Sequence, residues 1–212
     1  DVIVNPNQPG DQFPSKNLAG VGVVFYVMLA LRAELRKRDW FAERNEPNMA
    51  NYLDIVALGT VADVVPLDKN NRILVHQGLR RIRAGRCVPG IKALLSVGKR
   101  QLKNVIASDM GFAVGPRLNA AGRMDDMSVG IECLLTDDAD VAHGMAEQLD
   151  TLNKERRTVE QTMQTQALDE LKKIKLNLDN LPFGLSLYDP NWHQGVIGIL
   201  AARIKDRIHR PV

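Results

Sequence analysis

Residues 139–176 contain no proline and no glycine after Gly144, and an apolar stripe runs through them at mostly three- and four-residue intervals: Val141, Met145, Leu149, Leu152, Val159, Met163, Ala167, Leu171 and Ile174. This is the pattern of one continuous amphipathic helix, with Thr136-Asp137-Asp138 as its cap. At about 1.5 Å per residue such a helix is on the order of 50 Å long, more than one small domain spans. It therefore reads as a connector between two units. A coiled coil stays open as the alternative, although Arg156 and Gln166 interrupt its seam.

The flanks read as α/β. On the near side, Val2-Ile3-Val4 is a short strand followed by the loop Asn5-Pro6-Asn7-Gln8-Pro9-Gly10, and Leu18-Ala19-Gly20-Val21-Gly22 opens a helix with Val23, Val24, Val27, Met28, Leu31 and Leu35 at helical spacing. Helices are predicted over 50–57, over 73–83 with Ile73, Leu74, Leu79 and Ile82 inward, over 91–97 and over 128–135. Ser108-Asp109 reads as a further helix cap. On the far side, Gly184-Leu185-Ser186-Leu187-Tyr188 is a strand, 189–195 a polar loop and 196–208 an apolar helix, which together begin a new α/β unit. The divisions are residues 1–137, the connector 138–178, and 179–212. The chain starts at Asp1 and stops at Val212, where another strand is expected to begin, and reads as a piece of a longer protein.

No apolar run is long enough to span a bilayer. Cys87 and Cys133 lie far apart without CxxC spacing, which points to a reducing compartment and a cytoplasmic location. Charge is more informative. Between Lys69 and Ser108 stand ten Lys and Arg and no Asp or Glu, in a chain whose net charge is only +3. Arg72, Arg80 and Arg81 fall in this run, which is a candidate surface for a phosphate backbone; the alternative is a solvated basic face.

Three stretches could carry chemistry. In Leu58-Gly59-Thr60-Val61-Ala62-Asp63-Val64-Val65-Pro66-Leu67, one carboxylate sits in an apolar run that reads as a buried strand and turn. A buried Asp63 needs a partner, and a metal ion is the obvious candidate; capping of the turn before Pro66 is the alternative. The Gly-rich turn predicted over 115–126 holds Arg117, Asn119, Arg123, Asp125 and Asp126. Its arginines suit bidentate phosphate binding, or else pair with the two aspartates. His193 follows Trp192 just before the last helix and could bind metal or phosphate, or be structural. Walker and dinucleotide fingerprints are absent.

Taken together, Asn5-Pro6-Asn7, Leu18–Gly22, 57–67 with Asn71-Arg72, 115–126 and 192–199 resemble the bacterial single-strand-specific exonucleases of the DHH phosphoesterase superfamily. The resemblance implies the C-terminal part of a DHH-type α/β domain over 1–137 and the start of a DHH-associated domain over 179–212. It implies 5′→3′ hydrolysis of single-stranded DNA in repair and recombination, by a two-metal site using Mn²⁺ or Mg²⁺. Asp63 matches a metal-binding Asp of the family, and the Asp-His-His signature is expected upstream of Asp1. Asp63 and Arg123 would be catalytic; Arg72, Arg80, Arg81, Arg117, Asn119, Arg123 and His193 would bind phosphate. The chain alone is expected to be inactive, because one carboxylate does not hold two metals, and the intact protein to be a monomer. Helicase or single-strand-binding protein partners are not legible in the residues. The alternatives are a DHH phosphoesterase for short oligonucleotides or cyclic dinucleotides, and a non-catalytic nucleic-acid-binding module.

Overall fold

Asp68 starts the element on which the rest is built. Its carboxylate accepts the Asn71 N–H at 2.9 Å, an N-cap that launches a helix from Lys69 to Arg83. In the computed structural model, which describes residues 2–173 and 182–212, every regular element is helical. The order is α1 (Gly20–Lys37), a 3₁₀ turn (Met49–Tyr52) leading into α2 (Leu53–Ala62), α3 (Lys69–Arg83), α4 (Pro89–Val97), a second 3₁₀ turn (Leu102–Asn104), α5 (Ala107–Asp109), a π-helical turn (Met110–Val114), α6 (Gly115–Met124), α7 (Ser128–Leu135), α8 (Ala139–Lys173) and α9 (Gln194–Ile208).

The helices α2 and α3 form an antiparallel pair. A Cβ at Gly78 would stand 2.1 Å from the Leu53 carbonyl oxygen and 2.4 Å from the Ala57 Cβ, so only glycine allows this approach. Asn71, buried in the first turn of α3, donates to the carbonyls of Asn17 (2.7 Å) and Pro66 (2.9 Å). The main core gathers Leu58, Leu79 and Ile82 from this pair, Ile91, Leu94 and Leu95 from α4, Met110 and Val114 from the π-turn, Cys133 from α7, and Ala142, Ala146 and Leu149 from α8. The far half of α8 belongs to a separate core, in which Met163, Ala167 and Leu171 meet Val196, Leu200 and Ile204 of α9. A small third core holds Phe25 of α1 with Met49, Val56 and Leu74.

Several expectations are corrected. The strand predicted across 58–67 is the end of α2 and a turn; a run apolar on every side suits a helix buried all round as well as a strand, and periodicity does not separate them. The Gly-rich turn over 115–126 is mostly α6. Its Gly115 serves a close approach, since a Cβ there would lie 3.2 Å from the Ala62 Cβ. The segments 2–4 and 184–188 form no strand; 2–4 is exposed, and beside 184–188 a single rung, Leu185 N–H to the Pro211 carbonyl (2.9 Å), joins neighbouring segments. The α/β reading is thus not realised among the described residues.

The stripe on α8 is turned by one position at its start, burying Ala142 and Ala146 and leaving Val141 exposed, because alanines let α4 and α6 come close. Ile174 and the predicted end of that helix lie outside the described residues. On α1, Gly22 and Phe25 face inward, while Val24, Val27 and Leu31 are exposed; Ile73 of α3 is exposed as well. No described helix is long and apolar enough to cross a membrane.

Candidate functional site

The helix α2 ends at Asp63, which the structure exposes rather than buries. Its carboxylate makes no hydrogen bond or ion pair among the described residues, so it neither caps the turn nor sits in the apolar interior. Val64 follows with φ +57° and is 85% exposed. A β-branched residue in the left-handed region is strained. The chain holds it there because Asn71 ties the next turn through the Pro66 carbonyl, and Asp68 ties it to Ser15 at 2.7 Å. The backbone N–H of Asn71, followed by the Ser15 hydroxyl, holds the Asp68 carboxyl below its ordinary range.

The buried acid is instead Asp54, nine residues earlier on the same helix and fully enclosed. It stands in the first turn of α2 and accepts the N–H of Val88 at 2.8 Å, at the entry to α4. Two helix N-termini thus face one carboxylate, which suits an anion. Sequence reading missed this residue. Its signal is an acid placed at the start of an apolar helix.

Along α3, Lys69, Arg72, His76 and Arg80 recur every three or four residues and are all exposed, forming one basic ridge about 16 Å long. Arg80 and Arg81 with Arg86 and Gln77 line a shallow groove of about 320 Å³. Arg81 also donates to the Asn51 side chain (2.8 Å), Arg83 donates to the Val105 carbonyl (2.7 Å), and Arg100 pairs with Asp109 (2.9 Å). Arg72 and Arg80 make no such contact among the described residues.

Arg117 and Arg123 part company on α6. Arg117 turns inward. Its Nε and Nη2 both reach Asp150 of α8, at 2.8 and 2.7 Å, and its Nη1 donates to the Ala113 carbonyl at 2.6 Å. Every nitrogen of that guanidinium is occupied within the fold, so it is not presented to a phosphate. Burial pushes the Asp150 carboxyl up, but Lys154 and Arg117 pull it further down, leaving it below its ordinary value. Arg123 and Asn119, one turn apart, are both exposed on α6. Arg123 does not pair with Asp125 or Asp126; its Nη1 lies 3.4 Å from the Gly195 carbonyl of α9. Asp126 instead accepts the Ser128 N–H at 3.0 Å. His193 caps α9, its Nδ1 accepting the Gly195 N–H at 3.1 Å, and Trp192 donates to Gln166 of α8 at 3.0 Å.

The arrangement has a direction. The end of α2 touches the start of α6 through Ala62 and Gly115, and Arg123 sits at the other end of α6, about 12 Å along its axis. An exposed carboxylate lies near one end of α6, and an exposed arginine with an asparagine and a histidine at the other. Among the described residues no three His, Cys, Asp or Glu side chains cluster to hold a metal ion. Asp63 is free to supply one ligand, and the described residues do not by themselves fit a metal pair.

No family model matches the chain. Across its whole length it is 61% identical to the single-stranded-DNA-specific exonuclease RecJ of Dickeya dadantii, and likewise to that of Escherichia coli. It is 34% identical, over 99% of its length, to the RecJ of Bacillus subtilis. Along its whole length the chain matches a segment of RecJ exonucleases. It spans 37% of the length of the first two of these relatives and 24% of the third. Its fold matches a RecJ crystal structure bound to manganese with a TM-score of 0.77 at 32% identity, covering 95% of this chain and 47% of that one. The RecJ of Thermus thermophilus in complex with Mg²⁺ matches with a TM-score of 0.75 at 34% identity, over 95% of this chain and 29% of that one.

Proposed function

We propose that this chain is the part of a cytoplasmic, monomeric 5′→3′ exonuclease that carries one metal ligand and a track for the phosphates of single-stranded DNA, in repair and recombination. The observation that carries the reading is identity along the entire chain to proteins named as single-stranded-DNA-specific exonucleases. The surface agrees with it. A small cyclic or dinucleotide substrate has no use for a row of cations along a helix, whereas a polyanionic strand does.

In this reading residues 1–137 belong to a DHH-type α/β domain, 138–178 bridge, and 179–212 begin a DHH-associated domain. The two cores sharing α8 support that division. Asp63 offers its exposed carboxylate to Mn²⁺ or Mg²⁺, the ions bound in the solved relatives. Arg123, helped by Asn119 and His193, holds a phosphate with nitrogens the fold leaves free. Lys69, Arg72 and Arg80, with Arg81 at the groove, follow the backbone away from it. Arg117 braces α6 against α8 and takes no part in binding.

The chain alone binds single-stranded DNA and cleaves nothing. Its affinity falls steeply with salt, since counterion release drives such binding. Arg72→Ala with Arg80→Ala reduces the salt slope by about two, one per phosphate contact. Fluorescence anisotropy with a labelled oligothymidine at several salt concentrations tests this; salt-independent affinity, or Mn²⁺-dependent cleavage by the purified chain, refutes it.

A further inference from the structure

The end of α6 and the start of α9 meet backbone to backbone. A Cβ on Gly195 would stand 1.9 Å from the Arg123 carbonyl oxygen, 2.8 Å from its carbonyl carbon and 3.1 Å from its Cα. These are main-chain atoms inside a helix, so they do not swing aside as a side-chain tip would. The Gly195 peptide groups are also held from two sides. Its N–H is accepted by His193 Nδ1 at 3.1 Å, and its carbonyl lies 3.4 Å from Arg123 Nη1. Gly198, three residues on in the same helix, has open space where its Cβ would go. Helix packing in general does not demand glycine here; the contact with Arg123 does.

We infer that Gly195 is a positioning residue for Arg123: its missing side chain seats α9 on the Arg123 backbone, and its carbonyl sets the direction in which the guanidinium meets a phosphate of the strand. This rests on the reading of Arg123 as a phosphate contact. It adds that α9, which packs with the far half of α8, orients a binding group carried by α6, which packs with the near half. A guanidinium is a rigid planar fork, so its direction matters to binding as an ammonium's does not. Nε and Nη2 of Arg123 keep that fork available, because among the described residues only Nη1 contacts the protein.

The test is a set of variants of this chain, with affinity for a labelled oligothymidine read across a salt series and helicity read by circular dichroism. Arg123→Ala is expected to flatten the salt slope by about one, the loss of a single phosphate contact. Gly195→Ala is expected to do the same, and the double variant to be no worse than Arg123→Ala alone. Gly198→Ala should leave slope and affinity unchanged. If Gly195→Ala costs helical signal, Arg123→Lys takes its place: an ammonium has no planar fork for the Gly195 carbonyl to direct, so this variant should lose affinity while keeping the salt slope. Additive losses in the cycle, an Arg123→Lys affinity equal to that of the unmodified chain, or a Gly195→Ala slope equal to that of the unmodified chain, overturn the inference and leave Arg123 as a phosphate contact. An Arg123→Ala slope equal to that of the unmodified chain, or absence of binding by that chain, removes the reading beneath it and the inference together.

Discussion

The two ends of α2 carry the same chemical group in opposite circumstances. At its start Asp54 is fully enclosed and accepts the Val88 N–H; at its end Asp63 is exposed, has no partner among the described residues and is followed by a strained valine. The difference separates an acid that builds the fold from one left free to bind something else. A buried carboxylate survives only where donors surround it, and Asp54 has them from two helix entries. Among the described residues nothing pairs with Asp63, and an exposed anion beside backbone strain is where a ligand site is looked for.

The sharpest way to break this contrast is to remove each acid in turn. In a protein of the relatives' full length carrying this segment, Asp63→Ala should abolish turnover, by three orders of magnitude or more, since a lost metal ligand withdraws several kcal/mol from the transition state. Its thermal midpoint should stay put. Near-normal cleavage at saturating Mn²⁺ would make Asp63 a bystander. Asp54→Ala should do the reverse in this chain, costing about 3 kcal/mol in urea unfolding because the Val88 N–H is left buried without an acceptor. Asp54→Asn, which keeps an acceptor oxygen, should cost less. Equal stability of Asp54→Ala and the unmodified chain would mean that Val88 finds another partner.

The sequence reading placed a buried acid in an apolar run, but it assigned burial to Asp63 and passed over Asp54. The reason is physical. Burial of Asp54 depends on where α4 begins in space, thirty-four residues away, and no local pattern encodes that meeting. Elements with a strong period were legible: α3, α4, α7 and α8 stand close to their predicted places. The segment 58–67 was not, because a run without polar relief has no period to read. The predicted strands had correct composition, but strand character comes from a neighbouring strand, which composition does not supply. At the candidate site, the two arginines of α6 looked equivalent in sequence. Their six-residue spacing puts them on different sides of the helix, and only packing shows that Arg117 faces Asp150 while Arg123 faces outward.

That second contrast predicts a smaller effect. Arg117→Ala should destabilise the chain by about 2 kcal/mol, since its partner sits in a mostly buried site with Lys154 left as sole counter-ion. The pH dependence follows from the lowered Asp150 carboxyl. A carboxyl lowered on folding contributes stability that is full above its unfolded value and disappears as pH falls through the folded one. Acid should therefore erode the unmodified chain below the usual carboxylate range, and Asp150→Asn should remove part of that acid sensitivity while lowering stability at neutral pH. Parallel pH–stability curves for the two would show that the pair carries no linkage.

The smallest effect probes the strain itself. Val64 sits at φ +57°, a conformation that costs a non-glycine residue about 1–3 kcal/mol. Glycine relieves that cost, but its unfolded chain is freer by about 0.4–1 kcal/mol, so Val64→Gly should gain about 1 kcal/mol in urea unfolding. Were the strain incidental, activity in the full-length protein would be unmoved by the same change. If the turn instead holds Asp63 at a fixed angle, a freer backbone loosens that angle and the variant loses turnover while it gains stability. A more stable variant with less cleavage, and with the Mn²⁺ requirement shifted to higher concentration, would tie the strained residue to the exposed acid before it. A more stable variant with unchanged metal dependence would separate them, and the contrast between the two ends of α2 would then rest on burial alone.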